Sequence, residues 1–241
     1  MILVLSGFFA NAQTVDEIIE KYIQAIGGRD KIKAIQSAKT EMKMKAQMFE
    51  FPVLVYLKKD GSMRSETVIQ GLKIIQAYNS TDSIGWSLNP MQGDNKAHKM
   101  NADETKQMSE ENDRLESALV DYKKKGHTAE LLGKDDLDGD EVYKVMLTKK
   151  NGNITYYYID TQNYLIWKEE SKIKFKDSEY ENETYFSNYV TQDGLTTART
   201  IENYNEGKVV MQMNVEKVEY NLTPDEKLFK LPADAKAEEK K

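Results

Sequence analysis

The spacing of apolar residues changes period along the chain, and each change marks a different kind of element. Val15, Ile18, Ile19, Tyr22, Ile23 and Ile26 fall on one face of a helix. Thr14 and Glu17 stand where a capping box would start that helix. Gly27-Gly28 supplies the stop, and a short second helix is predicted over Asp30 to Ile35. The period then becomes two. Ala38, Thr40, Met42, Met44, Ala46 and Met48 alternate with Lys39, Glu41, Lys43, Lys45 and Gln47, which predicts a long strand with one apolar and one wet face. Phe51, Val53, Val55 and Leu57 carry the alternation into a second strand, and Asp60-Gly61 is a hairpin signal. Met63 to Gln70 and Leu72 to Tyr78 read as two more strands around Gly71. Trp86-Ser87-Leu88 ends at Asn89-Pro90, where proline withdraws a ladder donor.

Composition shifts after Gln92. Asp103 to Asp121 lacks Gly and Pro and is highly charged, with Met108, Leu115, Leu119 and Tyr122 as a thin stripe. This predicts one helix with a narrow apolar contact, ending before Gly126 and lying over something rather than inside a core. The second half is strand and turn. Thr128–Leu132, Glu141–Lys149, Ile154–Asp160, Tyr164–Lys176, Glu179–Thr191, Leu195–Asn205 and Lys208–Tyr220 are punctuated by Asp138-Gly139, Asn151-Gly152, Asp193-Gly194 and Glu206-Gly207. Leu228, Phe229 and Leu231 close the apolar pattern before Pro232. In all, about ten or eleven strands at short turn spacing predict an antiparallel sheet or barrel.

The first residues bear on location. Ile2 to Ala12 is apolar for about the length of a signal-peptide core and ends Ala10-Asn11-Ala12, with small residues where signal cleavage needs them. No Lys or Arg precedes it. The expected organisation is a signal segment over 1–12, one β-rich domain over 13–232, and a disordered charged tail over 233–241. The chain has no cysteine, so a disulfide framework, a thiol nucleophile and a lipid-modified cysteine are all excluded. The expected product is an exported, soluble periplasmic monomer. A net charge of −6 argues against nucleic acid as a partner.

Catalytic motifs are absent. His98 and His127 are the only histidines and stand in no ligand spacing. No GxSxG elbow and no phosphate-binding glycine loop occurs. Asp135, Asp136, Asp138 and Asp140 lack the twelfth-position Glu of an EF-hand and read as a solvated turn. No enzyme activity, cofactor or metal is expected.

The informative chemistry is the apolar strand face. Met42, Met44 and Met48 cluster on one strand and Met211 and Met213 on another, within a chain of 11 Met and 14 Tyr. Methionine is unbranched and polarizable, and suits a surface that must fit variable apolar shapes. Alternation alone leaves open whether that face packs a core or walls a cleft.

The order of elements resembles the LolA-like family, the periplasmic lipoprotein carriers, and within it the outer-membrane lipoprotein-sorting-like proteins of Bacteroidetes-type bacteria. The resemblance covers nearly the whole chain after residue 12. It is carried by the first helix, by the stretch from Ala77-Tyr78-Asn79 through Trp86 to Asn89-Pro90, and by Asp225-Glu226-Lys227-Leu228-Phe229-Lys230-Leu231-Pro232, similar to the family's closing segment. Lys58 to Arg64 departs from the family's Lys-Arg-Pro turn in lacking proline, with Arg64 near the family arginine. The resemblance implies a mainly β fold with helices, an incomplete antiparallel barrel lidded by α-helices around a hydrophobic cavity. It implies a carrier of lipid or lipidated protein, with envelope membrane proteins as further partners. The alternative is a protein-interaction module that uses a sheet edge or face. Met44, Phe51, Val53, Val55, Trp86, Met108 and Leu115 are the candidate cavity-lining residues.

Overall fold

A computed structural model describes residues 13–110, 115–175 and 178–236. The proposed signal segment, 1–12, lies outside the described residues.

Helix α1 (Val15–Ala25) starts as its sequence requires. The Thr14 hydroxyl accepts from the Glu17 N–H at 3.2 Å, and Glu17 reaches back to the Thr14 N–H at 2.9 Å. It buries Ile18, Ile19, Tyr22 and Ile23. Helix α2 (Arg29–Ala34) follows after the Gly27-Gly28 corner. Gly27 has φ of 125°, and a Cβ there would stand 2.4 Å from the Gly194 carbonyl, so only glycine lets the corner pack on the sheet.

Thirteen strands follow among the described residues: β1 (Ser37–Ala46), β2 (Phe49–Lys58), β3 (Met63–Ile69), β4 (Leu72–Asn79), β5 (Ile84–Leu88), β6 (His98–Lys99), β7 (Thr128–Leu137), β8 (Asp140–Thr148), β9 (Ile154–Asp160), β10 (Ile166–Phe175), β11 (Ser178–Gln192), β12 (Leu195–Asn205) and β13 (Lys208–Tyr220). They form one antiparallel sheet in the order β6-β5-β4-β3-β2-β1-β13-β12-β11-β10-β9-β8-β7. Among the described residues β1 with β13 is the only ladder between strands far apart in sequence, beside a single bridge between His98 and Lys236, and the two edges do not pair with each other. The fold is mainly β with short helices, an incomplete antiparallel barrel. Three differences from the sequence reading concern the strands. The strand expected over Thr128–Leu132 runs on to Leu137, so Asp135 and Asp136 pair with Val142 and Glu141 in the ladder and the turn is confined to Asp138-Gly139. The two-residue β6 adds to the count, and the first long strand ends at Ala46, because Gln47 turns the chain at φ 54° and leaves Met48 94% exposed.

The charged central segment differs more. Helix α3 (Ala102–Glu110) is real, but Leu115 to Gly126 is a series of turns rather than its continuation. Ala118, Leu119 and Val120 are all buried. Three consecutive residues cannot share one face of a helix, whereas successive turns can insert all three into a core. Asp121, at φ 52°, marks the reversal. Its carboxylate is shared by Arg29, Lys33 and Lys124, which ties α2 to this segment.

The main core lies between α1, α2, the 115–122 segment and the inner face of β8–β10, with Val145, Leu147, Tyr157 and Ile159 opposite the helix isoleucines. A second, small core sits on the outer face, where Ile75, Ala77 and Trp86 are covered by Ala97, Leu231 and Ala235. The tail expected to be disordered from 233 is held as far as Lys236, whose N–H donates to the Ala97 carbonyl at 2.8 Å; 237–241 lie outside the described residues.

Two stability predictions follow from these contacts. Phe229 is fully buried, and its carbonyl accepts from the Trp86 indole at 2.8 Å. Phe229→Ala is expected to cost about 3–5 kcal/mol in chemical denaturation, as a large core deletion does. The Asp121 carboxyl is held down to about 2, chiefly by the Lys33 ammonium, from an ordinary 3.8. Its folded value is below its unfolded value, so its contribution is present above pH 3.8 and lost as pH falls through about 2. Asp121→Asn should remove about 1–2 kcal/mol at pH 7 and flatten the wild-type acid limb of stability against pH.

Candidate functional site: an apolar cavity on the inner sheet face

Residues directly opposite across a strand pair share a face. Register therefore places side chains without further assumption. Phe51 pairs Met44, Met44 pairs Met213, Met213 pairs Ile201, and Ile201 pairs Phe186. Val53 pairs Met42 and Met42 pairs Val215 one step along. These rows lie on the inner face, and all of these residues are half-buried.

At the β10–β13 end the rows run into a cavity of about 380 Å³. The volume falls in the range of roughly 300–1,000 Å³ found for small-molecule sites. Tyr22 and Ile26 enter from the first helix and its cap, and Ile32 and Ile35 from α2 and its end. Leu115, Glu116 and Ser117 cover one side, while Ile166, Phe186, Leu195, Ile201 and Tyr220 form the sheet wall. The opposite end of the inner face is covered by α3. A Cβ on Gly85 of β5 would lie 2.9 Å from Met100 Sδ and 3.0 Å from Thr105 Oγ1, so the chain entering α3 rests directly on that strand.

The predicted lining residues divide into four groups. Leu115 lines the cavity. Met44, Phe51, Val53 and Val55 are on the same inner face but beyond the cavity, as a half-buried apolar trough that continues it. Met108 is half-buried on α3 and does not line the cavity. Trp86 is on the other face. It pairs Ala77, which pairs Arg64, which pairs Tyr56, the neighbour of Val55 and therefore opposite to it. The ring is consumed by the outer core, with the Arg64 guanidinium 5.3 Å from its centre and the Arg64 Nη1 donating to the Leu228 carbonyl at 2.7 Å. Arg64 thus holds the C-terminal segment rather than a helix. A larger groove, of about 480 Å³, lies between α1 and residues 119–124, but its rim is Asp16, Glu20, Arg29, Asp121 and Lys123, largely paired with one another.

The residue that the sequence reading missed is Glu169. It occupies an inner-face position of β10, opposite Tyr157 on β9 and Thr184 on β11, and borders the cavity. Its neighbours of opposite parity face out, where Lys168 pairs Glu170 at 2.6 Å. A signal was present, since Lys168-Glu169-Glu170-Ser171-Lys172 is polar at both parities and forces a polar group onto the apolar face. Burial pushes the Glu169 carboxyl up to about 7, against the opposing field of Lys149. Burial also raises Tyr22 and Tyr189, so both hydroxyls stay protonated at neutral pH. Tyr189 donates to the Ile166 carbonyl at 2.5 Å.

For Glu169 the folded value lies above the unfolded 4.5, so its favourable contribution is complete below pH 4.5 and is lost as pH rises through about 7. Glu169→Gln is therefore expected to be more stable than wild type by roughly 1–3 kcal/mol at pH 8, with the two converging by pH 4.5. Urea denaturation at the two pH values checks this.

No family model matches the sequence, and no curated protein is similar to it in sequence. Solved structures are similar in fold. A DUF1329 family protein from Desulfovibrio piger has 17% identity and a TM-score of 0.57 over 91% of this chain and 98% of its own. A LolA superfamily protein from Nitrosomonas europaea has 12% identity and a TM-score of 0.56 over 91% and 98%. An outer-membrane lipoprotein-sorting protein domain from Vibrio parahaemolyticus has 14% identity and a TM-score of 0.56 over 88% and 94%. At these identities the likeness is one of fold, and the fold of this chain is LolA-like.

Proposed function

We propose that the protein is a non-catalytic carrier of the cell envelope that holds a lipid, or the lipid chain of a modified protein, in the inner-face cavity. The observation that carries this reading is the continuity of the 380 Å³ apolar cavity with the half-buried Met44–Phe51–Met213 trough on one sheet face. A chain laid along both gains roughly 0.8 kcal/mol for each buried CH₂ and needs no directed bonds. Unbranched methionines let the trough fit chains of different shape. The cavity cover at Leu115–Ser117 belongs to a segment of turns rather than to a helix.

The envelope location rests on the Ile2–Ala12 segment. Among the described residues no helix is long and apolar enough to cross a membrane. The name of the Vibrio parahaemolyticus neighbour, a lipoprotein-sorting domain, supports the same class of cargo.

Pairing through a sheet edge is less well supported. The long edge strand β7 carries Lys134, Asp135 and Asp136 and has a register break between Leu131 and Gly133. Charge and a bulge are the devices that block edge pairing.

The carrier reading is tested by titrating a neutral fluorescent apolar reporter, N-phenyl-1-naphthylamine, into the protein. Wild type should bind it, and Ile201→Glu on the cavity wall should weaken binding by at least about tenfold through burial of a charge. Val190→Glu, at a position 45% exposed, should leave binding unchanged. Equal binding by the Ile201 variant would place the reporter elsewhere and sink the assignment. Native mass spectrometry of protein purified from its own host should show copurified lipid.

A further inference from the structure

The cavity is walled mainly by apolar side chains, with the Glu169 carboxyl set among them. Glu169 borders it from β10. Several of the polar groups around it are engaged, while Asn203 Oδ1, opposite Thr184, and Arg199 Nη1 are buried without a partner among the described residues. From α1 the Tyr22 hydroxyl meets Ser117, and from β11 the Tyr189 hydroxyl donates to the Ile166 carbonyl at 2.5 Å. From the covering segment Glu116 is paired with Lys125 at 3.0 Å. Tyr157 on β9 and Thr184 on β11 flank Glu169 in register. The cations are placed outside the lining. Lys149 acts on Glu169 only through its field, and on β12 the Arg199 Nη2 is turned to Gln192 at 3.0 Å. No ammonium or guanidinium among the described residues borders the cavity.

We propose that Glu169 makes this cavity selective for an amphiphile whose head group donates hydrogen bonds and carries no negative charge, an amine foremost, and that it turns away chains ending in a carboxylate. This inference rests on the carrier reading and deepens it. An ammonium beside a carboxylate in a poorly solvated wall forms a charge-assisted bond. A ligand carboxylate in the same place would stand against Glu169 with no lining cation to pair with it, only the more distant fields of Lys149 and Arg199, and two carboxyls at one site must share a proton. A hydroxyl head satisfies Glu169 in either protonation state and falls between the two. The selectivity steepens as pH rises, because the ordinary value of 4.5 is displaced to about 7 and the carboxyl becomes fully charged only above that.

The test is displacement of N-phenyl-1-naphthylamine at pH 8 by dodecylamine, dodecanol and dodecanoate, each below its micelle concentration, from wild type and from Glu169→Gln. In wild type the amine should displace the reporter at about tenfold lower concentration than the carboxylate, the scale of a charge-assisted contact. In Glu169→Gln the two should come within about threefold, as expected once the charge is gone. An unchanged circular-dichroism spectrum and a cooperative urea transition show that the variant is folded, and displacement is compared as the amine-to-carboxylate ratio within each protein, whatever its own reporter affinity. Repetition at pH 5.5 should narrow the wild-type preference. Equal displacement by amine and carboxylate in wild type, or a preference that persists unchanged in Glu169→Gln, would overturn the selectivity while leaving the carrier reading standing. A wild-type protein that takes up neither reporter nor any chain would overturn the carrier reading, and this inference with it.

Discussion

An antiparallel sheet that does not close has two faces to account for and too few helices to cover them. Among the described residues, the inner face of thirteen strands is met by three short α-helices and one run of turns. These covers stand at opposite ends. α1, α2 and residues 115–122 lie over β8–β12, and the start of α3 rests on β5. The middle strands, β2, β1 and β13, are left half-buried with Phe51, Met44 and Met213 side by side. Partial cover of an apolar face leaves surface that a ligand can bury, and the cavity and its trough are that surface.

The outer face has a different economy. Many of its positions are Lys and Glu that pair across strands, as Lys43 does with Glu216 and Lys172 with Glu181. Such exposed pairs add little stability and keep that side wet. One exception is the patch around Trp86, where residues 229–236 return to seal β3–β5. The Arg64 contacts to Glu66 and to the Leu228 carbonyl, both at 2.7 Å, and the indole bond to the Phe229 carbonyl pin that return. The C-terminal segment therefore belongs to the fold's outer core and not to the ligand-facing side.

A carboxyl on the inner wall runs against the stability of the sheet. Glu169 stands where its neighbours Ile166, Phe186 and Ile201 are apolar, and burial alone displaces its titration to about 7. Groups displaced in this way concentrate at functional sites because packing alone has no use for them. Under the carrier proposal, such a group adds a distinction by head-group charge to one made by shape.

The local elements were legible because each follows from near-neighbour chemistry. Thr14 and Glu17 cap α1 whatever the helix packs on, and the alternation of Met42 and Met44 with lysines defines a two-faced strand by itself. The turns at Asp138-Gly139, Asp193-Gly194 and Glu206-Gly207 fall between strands for the same reason. The Leu115–Tyr122 stripe misled because helical spacing and a buried run of turns give the same apolar residues, and only the core into which Ala118, Leu119 and Val120 insert distinguishes them. Trp86 was assigned to the wrong face because alternation within a strand says that two faces exist, not which is inner. That choice depends on the register between strands distant in sequence, above all β1 with β13, and on which segment returns to cover each side. The sequence by itself determined the periods, the caps and the turns, all of which depend on residues a few positions apart. Tertiary structure alone decided which face encloses the cavity and that Glu169 lies on it, because burial is a property of what is packed opposite.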